Sequence, residues 1–286
     1  MSTDSPVPAE DEARADRGHP SPWSMFRQVV KKPFYWVYER RLLSELSKWK
    51  LPGHIGIIMD GNRRYARSQG RAGASYGHQR GAARLWDVLS WCYDAGVPMV
   101  TVWSFSIDNF RRDTSEVEAL LSLFEDKTRE LIHHDEVHSK GVRVRYLGKL
   151  EMLPESLQEA IRAAEEATAG YDKYHLNIAM AYGGREEIAE AMRRYLRSME
   201  REGRTLDDVI RSFDKADIER HLYTSGLPEP DLIIRTSGEV RLSGFLLWQS
   251  AYSEFYFAET NWPAFRRIDF LRALRAYHQR QRRFGR

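Results

Sequence analysis

Cysteine is nearly missing from this 286-residue chain, in which Cys92 stands alone. No intrachain disulfide and no cysteine-rich zinc site can form, and a reducing compartment is permitted. The role that fits Cys92 is a small buried hydrophobe on a helix. Long apolar runs are missing too, since no stretch reaches the roughly 20 residues that span a bilayer. Residues 1–21 (MSTDSPVPAEDEARADRGHPS) are acidic, polar and proline-containing, unlike a secretory signal. The chain is therefore expected to be neither spanning nor secreted, and cytoplasmic. Charge of one sign is scarce as well: 44 basic against 41 acidic residues leave a net +3, too even for a protein whose task is neutralising a nucleic-acid backbone.

What is present suffices for one large domain, with 42% hydrophobic and 30% charged side chains. Residues 1–21 lack apolar periodicity and read as a disordered tail. Residues 22–50 form an aromatic and basic helical segment in which Trp23, Phe26, Phe34, Tyr35, Trp36 and Tyr38 mix with Arg27, Lys31, Lys32, Arg40 and Arg41. Such a segment suits peripheral contact with a membrane through residues 23–50, or packing on the domain or a second subunit; Pro33 interrupts any continuous membrane face. From residue 51 to 286 short apolar runs alternate with amphipathic stretches. The runs are His54–Met59, Met99–Phe105, Val142–Leu147, His175–Tyr182, Asp231–Ile234 and Glu254–Phe257; helical patterns cover Gly81–Asp94, Ser115–Ile132, Pro154–Ala169 and Arg185–Met199. The alternation predicts a single α/β domain with a central, mainly parallel six-stranded sheet flanked by helices. Ligands of such sheets sit beyond the carboxyl ends of the strands, so the residues after each run are where chemistry is sought.

Three clusters answer that description. Asp60-Gly61-Asn62-Arg63-Arg64-Tyr65 follows the first run and offers a carboxylate for a hard cation and guanidinium groups for phosphate, although the same triplet Asp-Gly-Asn is a common turn. Ser104 to Arg112 follows the second run and suits either a site or a helix-capping loop. The third, Asp231 to Gly244, places Arg235 at a strand end and Arg241, Leu242 and Ser243 in the loop beyond, enough to grip a second diphosphate. Glu254 lies in the aromatic run Tyr252-Ser-Glu-Phe-Tyr-Phe, where a carboxylate is costly unless paired or bound to metal.

These clusters, together with Gly77-His78, Tyr182-Gly183-Gly184-Arg185 and Phe245-Leu-Leu-Trp-Gln249, resemble the undecaprenyl diphosphate synthase family of cis-prenyltransferases from about Leu51 to Arg286. The resemblance implies an α/β domain whose helices enclose an apolar tunnel, a homodimer, and Mg2+-dependent condensation of isopentenyl diphosphate with an allylic diphosphate primer to make Z-polyprenyl diphosphates. It makes Asp60 the metal ligand that assists departure of the allylic diphosphate, with Gly61, Asn62, Arg63, Arg64, Tyr65 and His78 around that group. Arg235, Arg241, Leu242 and Ser243 would take isopentenyl diphosphate, and Glu254 would be a second acidic group for the metal. Ser106, Ile107, Asp108, Asn109, Phe110 and Arg112 match the family's mobile active-site loop, where Asn109 is assigned to proton removal. Arg283-Phe284-Gly285 resembles a C-terminal element that reaches across the dimer to the diphosphates.

Departures from the family pattern shape the rest. Arg63 and Tyr65 stand where bacterial long-chain members carry Gly and Trp, and the Gly70–Gly77 turn is one residue longer, with Arg71 the candidate for the arginine usual there. A small Ser104 leaves the tunnel open and favours medium or long products, while Tyr223 to Glu254 resembles short-chain members. The alternatives to a long-chain synthase are a short-chain one, a non-catalytic partner subunit, and a basic surface adaptor working through residues 23–50. His133-His134-Asp135-Glu136 with His138 reads as a solvated helix end, since adjacent helical residues point apart. Asp207-Asp208 reads as a helix start, and no Asp-Asp-x-x-Asp pair of a trans-prenyltransferase is present.

Overall fold

The computed structural model describes residues 35–71 and 75–280. The predicted tail, the first part of the aromatic segment and Arg283-Phe284-Gly285 lie outside the described residues. A helix over 35–45 (α1) leads through a short 3-10 turn to β1 (His54–Ile58), whose end feeds α2 (Asn62–Ser68) and then α3 (Ser75–Ala95). β2 (Met99–Trp103) is followed by a 3-10 turn at Ile107–Arg111, α4 (Thr114–Ile132) and α5 (Asp135–Lys140). β3 (Val142–Leu147), α6 (Glu155–Ala167), β4 (Tyr174–Ala179) and α7 (Gly184–Arg201) come next. Two short helices, α8 (Leu206–Ser212) and α9 (Lys215–Glu219), precede β5 (Leu232–Arg235), β6 (Glu254–Phe257) and α10 (Arg267–Gln279).

All six strands are parallel, in the order β3-β4-β2-β1-β5-β6. The near-continuous apolar runs are what a sheet covered on both faces requires. Alternation along each strand sends Ile55, Ile57, Val100, Val102, Leu176, Ile178, Leu232 and Ile234 to one face, where α3, α4, α6 and α10 supply Val88, Cys92, Leu120, Leu157, Phe270 and Leu274. Cys92 is buried as expected, and desolvation pushes its thiol far above the ordinary range. The other face carries Ile58, Ile233 and Ala179 against Tyr182, Phe245 and Leu246. It also holds a polar stitch: the His54 ring bonds the Pro228 carbonyl and the Thr101 hydroxyl, which accepts from Asn177. Burial lowers His54 to about 4, so it is neutral.

The described part of the aromatic segment packs on the domain. Leu42 is buried with Ile268 and Leu271 of α10, Arg266 and Arg272 lie over the rings of Tyr35 and Tyr38, and Trp49 stacks on His278. Trp36 and Val37 remain exposed. Among the described residues no helix is long and apolar enough to cross a membrane. Asp208 is the capping partner of Thr205 at the start of α8, as its sequence position suggests.

Candidate active site

The carboxyl ends of β1, β2 and β5 are adjacent because β1 sits between β2 and β5, and this adjacency unites clusters that lie up to about 175 residues apart in the chain. Asp60 is two residues beyond β1. Its Oδ1 accepts from the Gly61 N–H at 2.7 Å, and its Oδ2 accepts from Arg235 Nη2 at 2.9 Å. The Asp60 carbonyl is fixed by the Trp262 N–H at 2.9 Å and the Thr236 hydroxyl at 2.7 Å. Gly61 has φ +103°, and a Cβ there would lie 2.4 Å from Asn261 Oδ1, so this turn demands glycine. Gly77 on α3 is required for a different reason, since a Cβ would meet the Asn62 carbonyl at 2.0 Å and push α2 away from the pocket.

Arg235 is 4% exposed and is the fixed cation of the site. Its Nη1 donates to the Arg241 carbonyl and, at 2.9 Å, to Ser243 Oγ, while its buried Nε has no partner among the described residues. The remaining cations converge on the same cleft of about 410 Å³: Arg63, Arg64 and Arg67 from α2, Arg112 from the loop after β2, and Arg241. Asp60 is the one carboxylate lining it among the described residues. Two further carboxylates sit just outside and hold the arginines. Glu239 accepts from both Arg64 and Arg241, and Arg64 keeps its carboxyl below the usual range. Glu116 of α4 lies 3.0 Å from Arg112, 3.8 Å from Arg63 and 4.0 Å from His78. Burial, reinforced by Arg112, lowers His78 to about 4; the ring is neutral and its buried Nε2 has no hydrogen-bond partner.

Asp60, Gly61, Asn62, Arg63, Arg64, His78, Ser106, Asn109, Arg112, Arg235 and Arg241 all line the cleft. Other expected site residues do not. Tyr65 stacks on Tyr76, Ile107 packs beside Gly183, Asp108 pairs in solvent with Arg111, and Phe110 packs edge-on against Phe105. Leu242 joins the apolar cluster under the second sheet face, and Ser243 serves by accepting from Arg235. Glu254 requires a correction as a metal partner of Asp60 within one chain. Parallel pairing sets it opposite Leu232 at the amino end of β6, while Phe257 opposes Arg235; three residues are about 10 Å of strand. Its carboxylate pairs instead with Arg280 at 2.8 Å.

Asn109 is also constrained. Its side-chain oxygen accepts from the Ser106 N–H at 3.0 Å, so the end of the amide left for a ligand is the NH₂ donor. That arrangement suits holding a phosphate oxygen and is unsuited to taking a proton.

A single carboxylate fits magnesium, which binds through one or two protein carboxylates and fills its octahedron with waters and substrate phosphates. The His133–His138 cluster forms no metal site: His134 stacks on Trp86, and His138 bonds Tyr171 and the Ile132 carbonyl. Sequence reasoning missed Arg67, which repeats the face of Arg63 and Arg64 one helical turn on, and Glu116, which reads as an ordinary i,i+4 partner of Arg112.

Below the cleft lies an apolar cavity of about 100 Å³ between α3, α4 and the first sheet face. Met59, Asn62, His78, Trp103 and Ser104 line both spaces, so charged cleft and apolar cavity meet at the strand ends. Leu85, Leu89, Phe124, Leu131, Ile178 and Met180 make the walls.

The undecaprenyl diphosphate synthase family model matches residues 58–285. An isoprenyl transferase of Thermus thermophilus is 51% identical over 258 residues, 90% of this chain and 98% of that one. A tritrans,polycis-undecaprenyl-diphosphate synthase (geranylgeranyl-diphosphate specific) of Thermococcus kodakarensis is 47% identical, over 90% of this chain and 96% of that one. The crystal structure of lavandulyl diphosphate synthase from Lavandula x intermedia in complex with dimethylallyl diphosphate superposes with a TM-score of 0.75 at 37% identity, covering 82% of this chain and 99% of that one. Anion-binding cleft, adjoining apolar cavity and relatives agree, and the chain belongs to the undecaprenyl diphosphate synthase family of cis-prenyltransferases.

Proposed function

We propose that the protein condenses isopentenyl diphosphate with an allylic diphosphate primer, in a Mg2+-dependent reaction, to give Z-prenyl diphosphates. The observation that carries this is the junction of the cleft, where one carboxylate faces six arginines, with an apolar cavity lined by hydrocarbon side chains. Asp60 would hold the ion, which supplies charge neutralisation to the departing diphosphate. Gly61 to Arg64, His78 and Arg112 surround the allylic headgroup; Arg235 and Arg241 take that of isopentenyl diphosphate. Fixed cations stabilise developing charge on the leaving group more than they stabilise the ground state, which is what accelerates ionisation.

Asn109 holds a diphosphate oxygen by its NH₂ and keeps the 106–112 turn closed. With that amide spent as a donor, the proton lost from the new bond goes to a diphosphate oxygen or solvent. Small Ser104 keeps the neck between cleft and cavity open, which supports repeated addition. A homodimer is supported by the sheet's edge strand β6 and by exposed Val240, Leu247 and Tyr252 beside it. A cytoplasmic place, with membrane contact through the aromatic segment, is part of the same proposal and is supported by exposed Trp36 and Val37.

The test is incubation of pure protein with magnesium, labelled isopentenyl diphosphate and geranyl, farnesyl or geranylgeranyl diphosphate. Chain-elongated, acid-labile Z products are expected without any partner protein. No incorporation with any primer would sink the proposal and favour a partner-subunit role.

A further inference from the structure

The apolar cavity beneath the cleft does not exhaust the empty space along α3. A second, smaller cavity of about 50 Å³ continues toward the amino ends of the strands, lined by Cys92, Tyr93, Val97, Val100, Val142 and Tyr174 among others. Three side chains line both cavities: Trp86 and Leu89 from α3 and Leu176 from β4. Together they form the partition. α3 gives the scale, because residues rise 1.5 Å each in a helix. From Gly81 at the cleft to Leu89 the first cavity runs about 12 Å, and from Leu89 to Tyr93 the second adds about 6 Å.

Trp86 is the largest of the three and the only one with a dedicated support. Its indole lies flat against the His134 imidazole, with ring centroids 3.9 Å apart and planes inclined by 7°. His134 Nδ1 is buried with no hydrogen-bond partner, so the imidazole's polar potential at that atom is left unused while its face carries the stack. An offset or face-to-face aromatic contact of this kind fixes a ring beyond what its buried area achieves. The second cavity is rimmed by the Lys140–Glu136 pair at 2.6 Å, with Lys140 over the Tyr93 ring, so charge lines its far end and the indole its near end.

We propose that Trp86, held against His134, is the specificity-determining wall that stops chain growth, and that the cavity behind it is spare hydrocarbon space. Resting on the polyprenyl synthase function above, this names what limits the product of that same site. Removing the indole merges the two cavities and admits at least one further five-carbon unit.

The first test needs no turnover. Affinities of straight-chain alkyl phosphates, from decyl to eicosyl and below their micelle concentrations, are measured by calorimetry. Each methylene that finds apolar space gains about fourfold. The wild type should stop gaining at the length that reaches Trp86, whereas Trp86→Ala should keep gaining beyond it; Trp86→Leu, apolar and closer in packing, should fall between. Equal plateaus for the wild type and both folded variants would overturn the wall.

In turnover, Trp86→Ala should lengthen the product, and adding Cys92→Phe to fill the second cavity should return it to the wild-type length. His134→Ala, acting only by positioning, should lengthen and broaden the product at unchanged KM for isopentenyl diphosphate, with rescue by His134→Phe. Turnover with unchanged product length in Trp86→Ala would also overturn the proposal. A shifted alkyl plateau with no incorporation by any variant or by the wild type would leave the wall standing and remove the synthase function instead.

Discussion

The cleft and the cavity beneath it share five side chains and are otherwise built on opposite plans. The cleft draws its residues from the loops beyond three strands and from α2, and its character is set by Asp60 and six arginines, most of them held by other charged groups. The cavity draws on the middle of α3, α4, β3 and β4, residues that any α/β core would contain, and its shape depends on which of them are large. Under the proposed function, the cleft would govern whether the reaction occurs and the cavity how far it proceeds.

That division can be broken by substitution. Asp60→Ala should have the largest effect, reducing turnover by about 10³-fold or more while the fold survives, since metal-based charge stabilisation is worth several kcal/mol. Single-turnover rates and circular dichroism would check it; near-normal turnover in folded Asp60→Ala would end the metal assignment. Arg241→Ala should raise KM for isopentenyl diphosphate by roughly 10- to 100-fold, the scale of one charge-assisted contact. Steady-state kinetics with that substrate varied decides it, and an unchanged KM counts against the assignment.

On the cavity side, Ser104→Phe at the neck should shorten the product while KM for isopentenyl diphosphate stays within about twofold, a change too small to signify a lost contact. Product chromatography and kinetics on the same preparation separate the two, and full-length product from Ser104→Phe would show that the neck is elsewhere.

The smallest expected effect concerns neither region's chemistry. His54, buried under the second sheet face, is lowered to about 4 from an unfolded value near 6.5. A depressed histidine leaves stability complete above about pH 6.5 and removes it as pH falls toward 4, because the unfolded chain takes up the proton first. Urea unfolding should therefore show a loss of about 2 kcal/mol from this residue between pH 8 and pH 5. His54→Gln should flatten that part of the profile; an identical pH slope would place the sensitivity elsewhere.

The same contrast explains what could be read from the chain. All six apolar runs became strands within a few residues of their expected limits, because a doubly covered parallel sheet leaves uninterrupted Val, Ile and Leu. Asp60, Arg235 and Arg241 were legible since charge just beyond a buried strand has few uses other than binding. Glu254 was misplaced as a partner of Asp60 for a topological reason. Its sequence neighbourhood signals a costly carboxylate, but only the β5–β6 register reveals that it begins its strand while Asp60 follows the end of another. Phe110 and Tyr65 lie in motif blocks yet serve packing. An apolar space was expected from the family resemblance alone, whereas the Trp86–His134 stack was invisible because it joins α3 to the residues just past α4, and neither residue carries a signal of its own.

Glu116 and Glu239 carry a last consequence. With those two side chains clasping Arg112, Arg63, Arg64 and Arg241, the resting protein avoids the self-repulsion of a bare cationic nest. An incoming anion must therefore compete with an internal rival before it can settle. Chloride brings too little attraction to unseat a tethered carboxylate, whereas a phosphate or diphosphate ester carrying two or more negative charges can win over two arginines at once. If diphosphates bind in this cleft, the two glutamates would act as a valency filter against the common salts around the protein.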